Sequence, residues 1–397
     1  MEKLIEKSLS KRNRVSMKFK RYLYDEIDWT SRLIGIEGAR GTGKTTMMLQ
    51  RLRSIPVSGD EGIYLSLDDI YFSAHSLVEF TDQFVRHGGK YIFIDEVHKY
   101  TGWSGELKNI YDDHPDLKIV FTSSSALEIH KGESDLSRRA VVYGLNELSL
   151  REYIALIHDI NITVYSLSDV LKKHHDICGE IISKVKPLVM FDEYIRYGAY
   201  PFINEGRARY YERLETIVNL IIENDLQSVA GIEYQTMIRI KKLLYILAGI
   251  VPFKPNIADL SRKTGTSRDH LCRYLELLER ADLILQLRSD NKSISYLAKP
   301  EKIYLRNPVL MYALGSENAN PGSVRETFFM NQLICGHDVT YSKTGDFNID
   351  GKYIFEVGGK NKTGQQIRGI KNSYIAADDI EYGFRDKVPL WLFGFLY

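Results

Sequence analysis

Short apolar runs alternate with longer stretches between Ser31 and about Val142. The runs are LIGI, GIYLSL, YIFID, LKIVFT and AVVYGL, and the stretches between them are long enough for helices. Strands that are buried on both faces are continuously apolar, and parallel strands need long crossover connections. The pattern therefore predicts βαβ units and a mostly parallel, buried sheet.

The apolar spacing becomes helical from about Leu148 to Gly249, which predicts a helical subdomain. Between Pro255 and Leu287 the pattern predicts a short helix that ends at Gly265 and a second helix that Ser267 caps. The pieces LILQLRS and SISYLAKPEKIYL behind these helices are typical of strands. Two helices followed by a strand pair resemble a winged helix-turn-helix.

The two ends of the chain add a basic segment and a further domain. Up to Arg21 there are eight basic residues against Glu2 and Glu6. This favours a solvated amphipathic helix over a site for an acidic partner or nucleic acid. From about Arg325 to Tyr397 a helix, RETFFMNQLIC, precedes the β segments DVTYS, DFNID and KYIFEVGG. We expect a third domain of α/β type there.

Composition limits the function classes. A length of 397 residues predicts two or three domains. With 53 basic against 52 acidic residues the net charge is +1, so any patch for nucleic acid or membrane must be local. The three cysteines lie far apart, without the spacing of a zinc site or a disulfide framework. Apolar runs fall short of the roughly 18 residues of a membrane span. We expect a cytoplasmic protein without a membrane partner.

The stretch GARGTGKT matches the motif G-x-x-x-x-G-K-[ST] in full and lies between an expected strand and an expected helix. Glycines let the backbone aim N–H groups at a phosphate, and the helix adds the positive end of its dipole. The lysine of such a motif reaches the β- and γ-phosphates, and the hydroxyl after it ligates Mg²⁺. The predicted site for ATP and Mg²⁺ comprises Gly38, Ala39, Arg40, Gly41, Thr42, Gly43, Lys44, Thr45 and Thr46.

Acidic residues complete this site. Asp95 follows the apolar residues of YIFID and is expected to hold Mg²⁺ together with Thr45, while Glu96 would polarise the attacking water. The strand LKIVFT ends in hydroxyl residues, of which Ser123 or Ser124 could orient the water or sense the γ-phosphate. Ordinary turn chemistry explains these serines equally well.

Two arginines precede the last apolar run of this region. Arg138 and Arg139 could neutralise the charge of the transition state, within the same subunit or across a subunit interface. A solvated helix face explains the pair at least equally well. No N-K-x-D motif for guanine is visible, which favours ATP over GTP.

Several segments together resemble the prokaryotic AAA-type ATPases, archaeal and related to the STAND class, that carry a C-terminal domain of unknown function. The segments are GARGTGKTT, YIFIDEVHK, FTSSSALEI, LNELSLREYI, YIRYGAYPF, KPEKIYLRNPVL and FEVGGKNKTGQQI. The resemblance implies ATP binding and an α/β fold with a P-loop NTPase core, a helical subdomain, a winged helix and a domain like restriction endonucleases. The assigned ranges are 1–30 for the basic helical segment and 31–147 for the ATPase core. Residues 148–250 are assigned to the helical subdomain, 251–310 to the winged helix and 311–397 to the endonuclease-like domain.

Endonuclease-like folds use an acid on one strand and an E-x-K on the next, so that carboxylates bind Mg²⁺ and the lysine supports the water. The acids that the resemblance implies here are Asp346 and Glu356, with Glu326 on the preceding helix. Gly358 stands where the lysine is expected, and Lys360 or Lys362 would have to substitute. A fold retained for binding or structure is therefore the alternative to cleavage.

We expect an ATPase whose Mg²⁺-dependent hydrolysis drives a conformational switch coupled to the winged helix and the C-terminal domain. Ser124 and either Arg138 or Arg139 would sense the γ-phosphate, because nucleotide drives a change only through different contacts in two states. The first alternative is a nucleotide-gated module that binds DNA or protein with negligible turnover. The second is a metal-dependent nuclease regulated by the ATPase.

DNA contact through the winged helix stays open. Arg268, His270 and Arg273 are expected to project from its second helix, and acidic residues of that helix offset them. Arg288 and Lys292 would lie on the wing. A packing and relay role is the alternative for this element. A protein partner and an oligomer are open as well.

Overall fold

The computed structural model describes residues 1–56, 61–123, 136, 138–227, 231–250, 256–289, 300–315 and 319–397. The chain forms two compact units, Met1–Glu147 and Leu148–Tyr397. Within the described ranges, every helix is too short or too polar to cross a lipid bilayer.

The first unit is built on five parallel strands in the order β2-β3-β4-β1-β5. The strands are β1 (Leu33–Glu37), β2 (Gly62–Ser66), β3 (Tyr91–Asp95), β4 (Lys118–Thr122) and β5 (Val141–Gly144). The first four strands are almost wholly buried, as their continuous apolar runs require. The parallel sheet predicted from the sequence is confirmed.

Helices cover both faces of this sheet. They are α1 (Glu2–Arg14), α2 (Leu23–Glu26), α3 (Lys44–Ser54), α4 (Leu77–Arg86) and α5 (Trp103–Asp113). Successive residues of a strand point to opposite faces. Leu33 therefore packs in one cluster with Phe80 of α4 and Leu107 of α5, whereas Ile34 packs in another with Met47 of α3.

The amino-terminal segment forms the amphipathic, mostly exposed helix that was expected, but this helix ends before Arg21. The helix α1 ends at Arg14, and its Leu4 is buried in the core. Ser8 Oγ accepts a hydrogen bond of 2.8 Å from the backbone N–H of Tyr64, so α1 covers the edge strand β2. Arg21 is buried too. The charges of α1 thus face solvent as expected, while its contact with β2 and the burial of Arg21 were not predicted.

The second unit begins with helices. They are α6 (Leu150–His158), α7 (Leu167–Ile182), α8 (Pro187–Tyr197), α9 (Tyr210–Leu220), α10 (Tyr234–Ala248), α11 (Ile257–Thr264), α12 (Arg268–Arg280), α13 (Pro308–Leu314) and α14 (Pro321–Leu333). An antiparallel pair, β6 (Ile284–Leu287) and β7 (Lys302–Leu305), lies between α12 and α13 in the chain. Residues 293–299, part of the expected wing, are outside the described ranges.

A mixed sheet follows in the order β12-β11-β10-β9-β8. Its strands are β8 (Val339–Tyr341), β9 (Phe347–Ile349), β10 (Tyr353–Gly358), β11 (Ser373–Ala377) and β12 (Lys387–Pro389). The last three strands are parallel, and β8 and β9 run antiparallel to their neighbours. The α/β character expected for the end of the chain is present.

The end of the chain packs on the beginning of the second unit. Tyr397 O accepts hydrogen bonds from Ser149 Oγ at 2.9 Å and Arg151 Nε at 2.8 Å. The 3₁₀ helix Leu390–Phe395 is fully buried. Segments that are distant in sequence therefore share one unit, and the boundaries expected at 250 and 310 stay predictions.

Candidate nucleotide-binding site

The loop between β1 and α3, Gly38–Thr45, has the backbone that a phosphate cradle requires, and we call it the P-loop. Gly38, Gly41 and Gly43 have φ angles of 149°, 88° and 98°, which favour glycine. A Cβ at Gly38 would lie 2.3 Å from the carbonyl oxygen of Leu145, so the loop packs closely there. The helix α3 begins at Lys44, so its first N–H groups and its positive dipole end lie at the loop.

Lys44 lies over the P-loop with its side chain largely buried. Its ammonium donates hydrogen bonds to the carbonyl oxygens of Gly38 at 2.7 Å and Ala39 at 2.9 Å. Thr42 is fully buried, and its hydroxyl donates to Ala39 O at 2.9 Å. Phosphate oxygens are stronger acceptors for an ammonium than carbonyls and could replace them. Thr46 is exposed in the first turn of α3.

Asp95 ends β3, is 3% exposed, and accepts hydrogen bonds from three hydroxyl groups. Thr45 Oγ1 and Tyr64 OH both donate to Oδ2 at 2.7 Å, and Thr122 Oγ1 donates to Oδ1. Tyr64 and Thr122 reach Asp95 because β3 lies between β2 and β4 in the sheet, and Thr45 reaches it from the start of α3. The structure thus brings the P-loop and the expected acid of the Mg²⁺ site together.

The residues at this point fit Mg²⁺. Thr45 and Asp95 offer oxygen atoms only, and these atoms lie 2.7 Å apart. Mg²⁺ takes oxygen ligands, keeps several waters, and is bound through one or two protein groups plus the phosphates of a substrate. Thr45 would hold it directly and Asp95 would accept from a bound water. The chemistry of this pair therefore fits the ion, and binding of Mg²⁺ here stays a prediction.

Tyr64 is a site residue that the sequence did not indicate. Burial raises the pKa of its hydroxyl well above the usual value, and the negative charge of Asp95 raises it further, so the group remains a donor. A tyrosine within an apolar strand is ordinarily a core residue. Only its contact with Asp95 distinguishes it from other core tyrosines.

Glu96 differs from Asp95 in its surroundings. Its backbone is left-handed, with φ 58°, and its N–H donates to Thr122 Oγ1 at 3.2 Å. Its Oε2 lies 3.7 Å from Arg40, 3.6 Å from His98 Nε2 and 3.9 Å from Lys99 Nζ. Burial raises the pKa of Glu96, against the positive charge of Arg40. A carboxylate of raised pKa is suited to accept a proton.

The hydroxyls expected to sense the γ-phosphate lie at the end of β4. Ser123 is buried, and its backbone N–H donates to Ile36 O at 3.2 Å. Ser124, the favoured sensor, lies outside the described residues. Its role therefore stays a prediction.

Arg138 and Arg139 lie near the amino-terminal ends of the parallel strands, whereas the P-loop lies at their carboxyl-terminal ends. They precede β5, which is parallel to β1, whereas the P-loop follows β1. Arg139 donates two hydrogen bonds of 2.9 Å to the carboxylate of Asp112. The geometry therefore does not support a contact with phosphates of the same subunit. A contact across a subunit interface stays a prediction.

A buried arginine lies behind the P-loop. Arg21 is 3% exposed and donates hydrogen bonds to Thr42 O, to Asn146 O at 2.8 Å and to Glu147 O at 3.0 Å. It links the loop to the last residues of the first unit. Nothing in the local sequence distinguishes this arginine from the basic residues around it.

In the second unit, two of the three acids expected at a second metal site share one lysine as their partner. Asp346 Oδ1 lies 3.1 Å from Lys302 Nζ, which also lies 2.9 Å from Glu326 Oε2. The backbone N–H of Val357 donates to Asp346 Oδ2 at 2.9 Å. This bond holds Asp346 beside the strand that carries Glu356.

Glu356 is 3% exposed, with Oε1 2.8 Å from Lys362 Nζ and Oε2 without a hydrogen-bond partner. A Cβ at Gly358 would lie 2.7 to 3.1 Å from the Lys362 side chain. Lys362 therefore occupies the space that a side chain at position 358 would need. Across the described ranges, no group of three or more His, Cys, Asp or Glu residues is arranged to hold a metal ion.

The basic residues expected to face DNA are exposed on α12; they are Arg268, His270 and Arg273. On the strand side, Arg288 donates to Glu279 at 3.0 and 2.6 Å. Lys292 lies outside the described residues. The surface of α12 is thus available, while Arg288 is engaged within the unit.

The fold and the site together define a class. A parallel sheet with a glycine-rich phosphate loop after β1 and a buried aspartate at the end of β3 is the core of a P-loop NTPase. Residues 30–154 match the family described as AAA domain. Residues 189–320 match a domain of unknown function, DUF8612. The first match supports an ATP-binding function of the AAA type.

One relative matches along most of the chain. The uncharacterized protein MJ1637 of Methanocaldococcus jannaschii is 25% identical over 387 residues, 90% of this chain and 81% of the relative. AMPPCP-bound DnaA from Aquifex aeolicus is 14% identical with a TM-score of 0.28, over 64% of this chain and 84% of that chain. PCH-2 of C. elegans is 18% identical with a TM-score of 0.26, over 40% of this chain and 45% of that chain. The chain thus spans less than half of PCH-2, and likenesses this low say nothing about function.

Proposed function

We propose that the first unit binds ATP with Mg²⁺ and hydrolyses it. The observation that carries the proposal is the meeting of the P-loop with a buried acid, where Thr45 Oγ1 lies 2.7 Å from the Asp95 carboxylate at the start of α3. The match of residues 30–154 to an AAA domain supports the same function.

The P-loop binds the phosphates in this proposal. Backbone N–H groups of the loop and of the first turn of α3 donate to the phosphate oxygens. The Lys44 ammonium exchanges its carbonyl partners, Gly38 and Ala39, for phosphate oxygens. Mg²⁺, when bound, would neutralise charge on the phosphates. Thr45 would bind the ion directly, and Asp95 would bind it through a water.

Glu96 accepts the proton. The oxygen of a water attacks the γ-phosphorus in line, the bond to the bridging oxygen breaks and ADP leaves, while the water proton goes to the Glu96 carboxylate. The raised pKa of Glu96 makes its carboxylate a better base. Arg40 and Lys99, 3.7 and 3.9 Å away, orient that carboxylate.

We propose further that the hydrolysis cycle switches the second unit between two states. The γ-phosphate is present only before hydrolysis, so only the groups that contact it differ in energy between the states. Ser124 and one of Arg138 or Arg139 remain the proposed sensors. Because both arginines lie at the far edge of the sheet, they would act on the nucleotide of a neighbouring subunit. An oligomer is therefore part of this proposal.

Phosphate release from ATP with Mg²⁺ tests the proposal. Lys44→Ala should lose both binding of a fluorescent ATP analogue and phosphate release. Glu96→Gln should keep binding and lose release by roughly 100-fold or more, the size of a general-base contribution. Glu61→Gln is the matched control, because Glu61 precedes β2 at the amino-terminal ends of the strands, away from the P-loop, and pairs with Lys90. This variant should keep both binding and release. Release that survives in Glu96→Gln would exclude Glu96 as the base, and release that survives in Lys44→Ala would exclude the site.

The alternative for this site is a nucleotide-gated module with negligible turnover. The exposed basic residues of α12 support DNA as its partner. A switch predicts that duplex DNA stimulates phosphate release in wild-type protein and that Lys44→Ala abolishes the stimulation. A gated module predicts DNA affinity that depends on nucleotide without any release of phosphate.

A second candidate function is a metal-dependent nuclease in the second unit. The contact between Lys362 Nζ and Glu356 Oε1 at 2.8 Å favours it, because it restores the lysine beside the acid. Nicking of supercoiled DNA with Mn²⁺ or Mg²⁺ should be lost in Lys362→Ala. It should persist in Lys360→Ala, whose exposed side chain pairs with Asp379. No nicking by wild-type protein would reject this function.

A further inference from the structure

A tyrosine of the edge strand β2 contacts the carboxylate at the centre of the proposed ATPase site. Tyr64 is 5% exposed, and its hydroxyl lies 2.7 Å from Asp95 Oδ2. Thr45 donates to the same oxygen and Thr122 to the other one. Hydroxyls from β2, α3 and β4 thus surround a single carboxylate. Each additional donor removes rotational freedom from that carboxylate.

The amino-terminal helix holds Tyr64 in turn. Ser8 Oγ accepts from the Tyr64 backbone N–H at 2.8 Å. Lys11 Nζ lies 4.6 Å from the centre of the Tyr64 ring and 3.5 Å from its hydroxyl. Because β2 is an edge strand, this N–H would otherwise face solvent. A continuous set of contacts therefore runs from α1 through Tyr64 to Asp95.

We propose that Tyr64 is a positioning residue of the Mg²⁺ site, and that α1 keeps it in place. The inference rests on the proposed ATPase function. Mg²⁺ demands near-ideal octahedral geometry, so the direction in which Asp95 presents its free lone pairs sets how well a bound water is held. Groups that orient a metal-binding carboxylate without touching the metal change metal affinity by roughly 10- to 100-fold when they are removed.

Binding of a fluorescent ATP analogue, measured over a titration of Mg²⁺ and in excess EDTA, tests the role of Tyr64. Tyr64→Phe keeps the buried ring and removes only the hydroxyl. The Mg²⁺ concentration for half of the metal-dependent binding should rise about 10-fold or more. The affinity in EDTA should stay that of wild type, because Tyr64 is not placed among the residues that bind phosphate. A merely structural role would shift both affinities together.

Tyr24→Phe is the matched control. Tyr24 lies in the same unit, is 6% exposed, and donates a hydrogen bond of 2.9 Å to Ser54 Oγ, away from Asp95. Its loss should leave the Mg²⁺ requirement unchanged. Ser8→Ala, which removes the acceptor of the Tyr64 N–H, should raise the requirement by a smaller factor. This variant keeps the proposal testable if Tyr64→Phe unfolds.

The outcomes separate the inference from the function on which it rests. A Mg²⁺ requirement in Tyr64→Phe and Ser8→Ala equal to that of Tyr24→Phe would overturn the role of Tyr64. Loss of binding in Lys44→Ala would then leave the ATPase proposal standing. Wild-type binding that Lys44→Ala does not change would instead refute the ATPase proposal itself.

Discussion

Two adjacent acids of the first unit have different surroundings. Asp95 is 3% exposed and accepts from three hydroxyls, whereas the side chain of Glu96 is 21% exposed and lies beside Arg40. A carboxylate held by several donors keeps one orientation, which suits a metal site. A partly exposed carboxylate can reach a water. The two roles proposed from the sequence are thus separated by environment, at neighbouring positions of one strand end.

Burial also predicts which cysteine reacts. Cys178 is buried, and burial raises the pKa of its thiol to about 12, whereas Cys272 is exposed. The thiolate is the reactive form. In native protein at pH 8, a maleimide should label Cys272 quickly and Cys178 only after unfolding, as followed by peptide mass mapping. Labelling of Cys178 at the rate of Cys272 in native protein would contradict this environment.

At the scale of elements, the P-loop depends on glycine at a particular point of close packing. Gly38 has φ 149°, and a Cβ there would lie 2.3 Å from Leu145 O. Gly105, inside α5, has open space around its Cα. An alanine side chain would therefore clash with the backbone at Gly38 and meet no other atoms at Gly105.

Gly38→Ala should disrupt nucleotide binding and lower the free energy of unfolding by about 1–3 kcal/mol, because the backbone is strained and Leu145 must move. Gly105→Ala should leave binding unchanged and raise stability by roughly 0.5–1 kcal/mol, since alanine favours the helix. Urea unfolding and binding of the ATP analogue measure both effects. Equal behaviour of the two variants would show that the loop tolerates a side chain at Gly38.

Local sequence patterns predicted the strands of the first unit well. Each of the five apolar runs became a strand of the parallel sheet. The first four are apolar because strands buried on both faces must be apolar at nearly every position, whereas β5 is an edge strand and largely exposed. The amino-terminal helix formed as expected, but its contact with β2 was not predicted, because a single buried leucine and serine are not distinctive among many charges. Contact with an edge strand is not encoded in the composition of a helix.

At the scale of the whole molecule, the chain consists of two compact units, and the nucleotide site lies in the first. A ligand that binds only the folded state adds free energy of unfolding by mass action, about 2.7 kcal/mol at 100 times its dissociation constant. The two units need not unfold in a single transition. Nucleotide should therefore raise the free energy of unfolding of the first unit, which contains the proposed site.

Tryptophan fluorescence can isolate that unit. The three tryptophans are Trp29, Trp103 and Trp391. In Trp391→Phe protein the remaining two report on the first unit alone. ATP with Mg²⁺ should raise the unfolding midpoint of this signal, and Lys44→Ala should abolish the rise. A rise that persists in Lys44→Ala would place the nucleotide elsewhere in the chain.

The structure brings the expected site residues together where they form contiguous motifs, and their roles stay predictions. The P-loop and the acids after β3 come together as expected, because each motif is local and parallel strands end at the same edge of the sheet. The proposed arginines lie at the opposite edge, which the chain order of Arg138 and Arg139 before β5 already required. The finer domain boundaries in the second unit stay predictions.

The strands, the phosphate loop and the acidic pair follow from local sequence patterns, since each depends on residues that are neighbours in the chain. The surroundings of Asp95 depend on the fold, because Tyr64 lies 31 positions away in the chain and Thr122 lies 27 away. The burial of Arg21 against the P-loop also depends on the fold, as does the position of Lys362, which packs beside Gly358 and pairs with Glu356. The physical reason is that strand order and side-chain packing select contacts between distant residues, and local spacing contains neither.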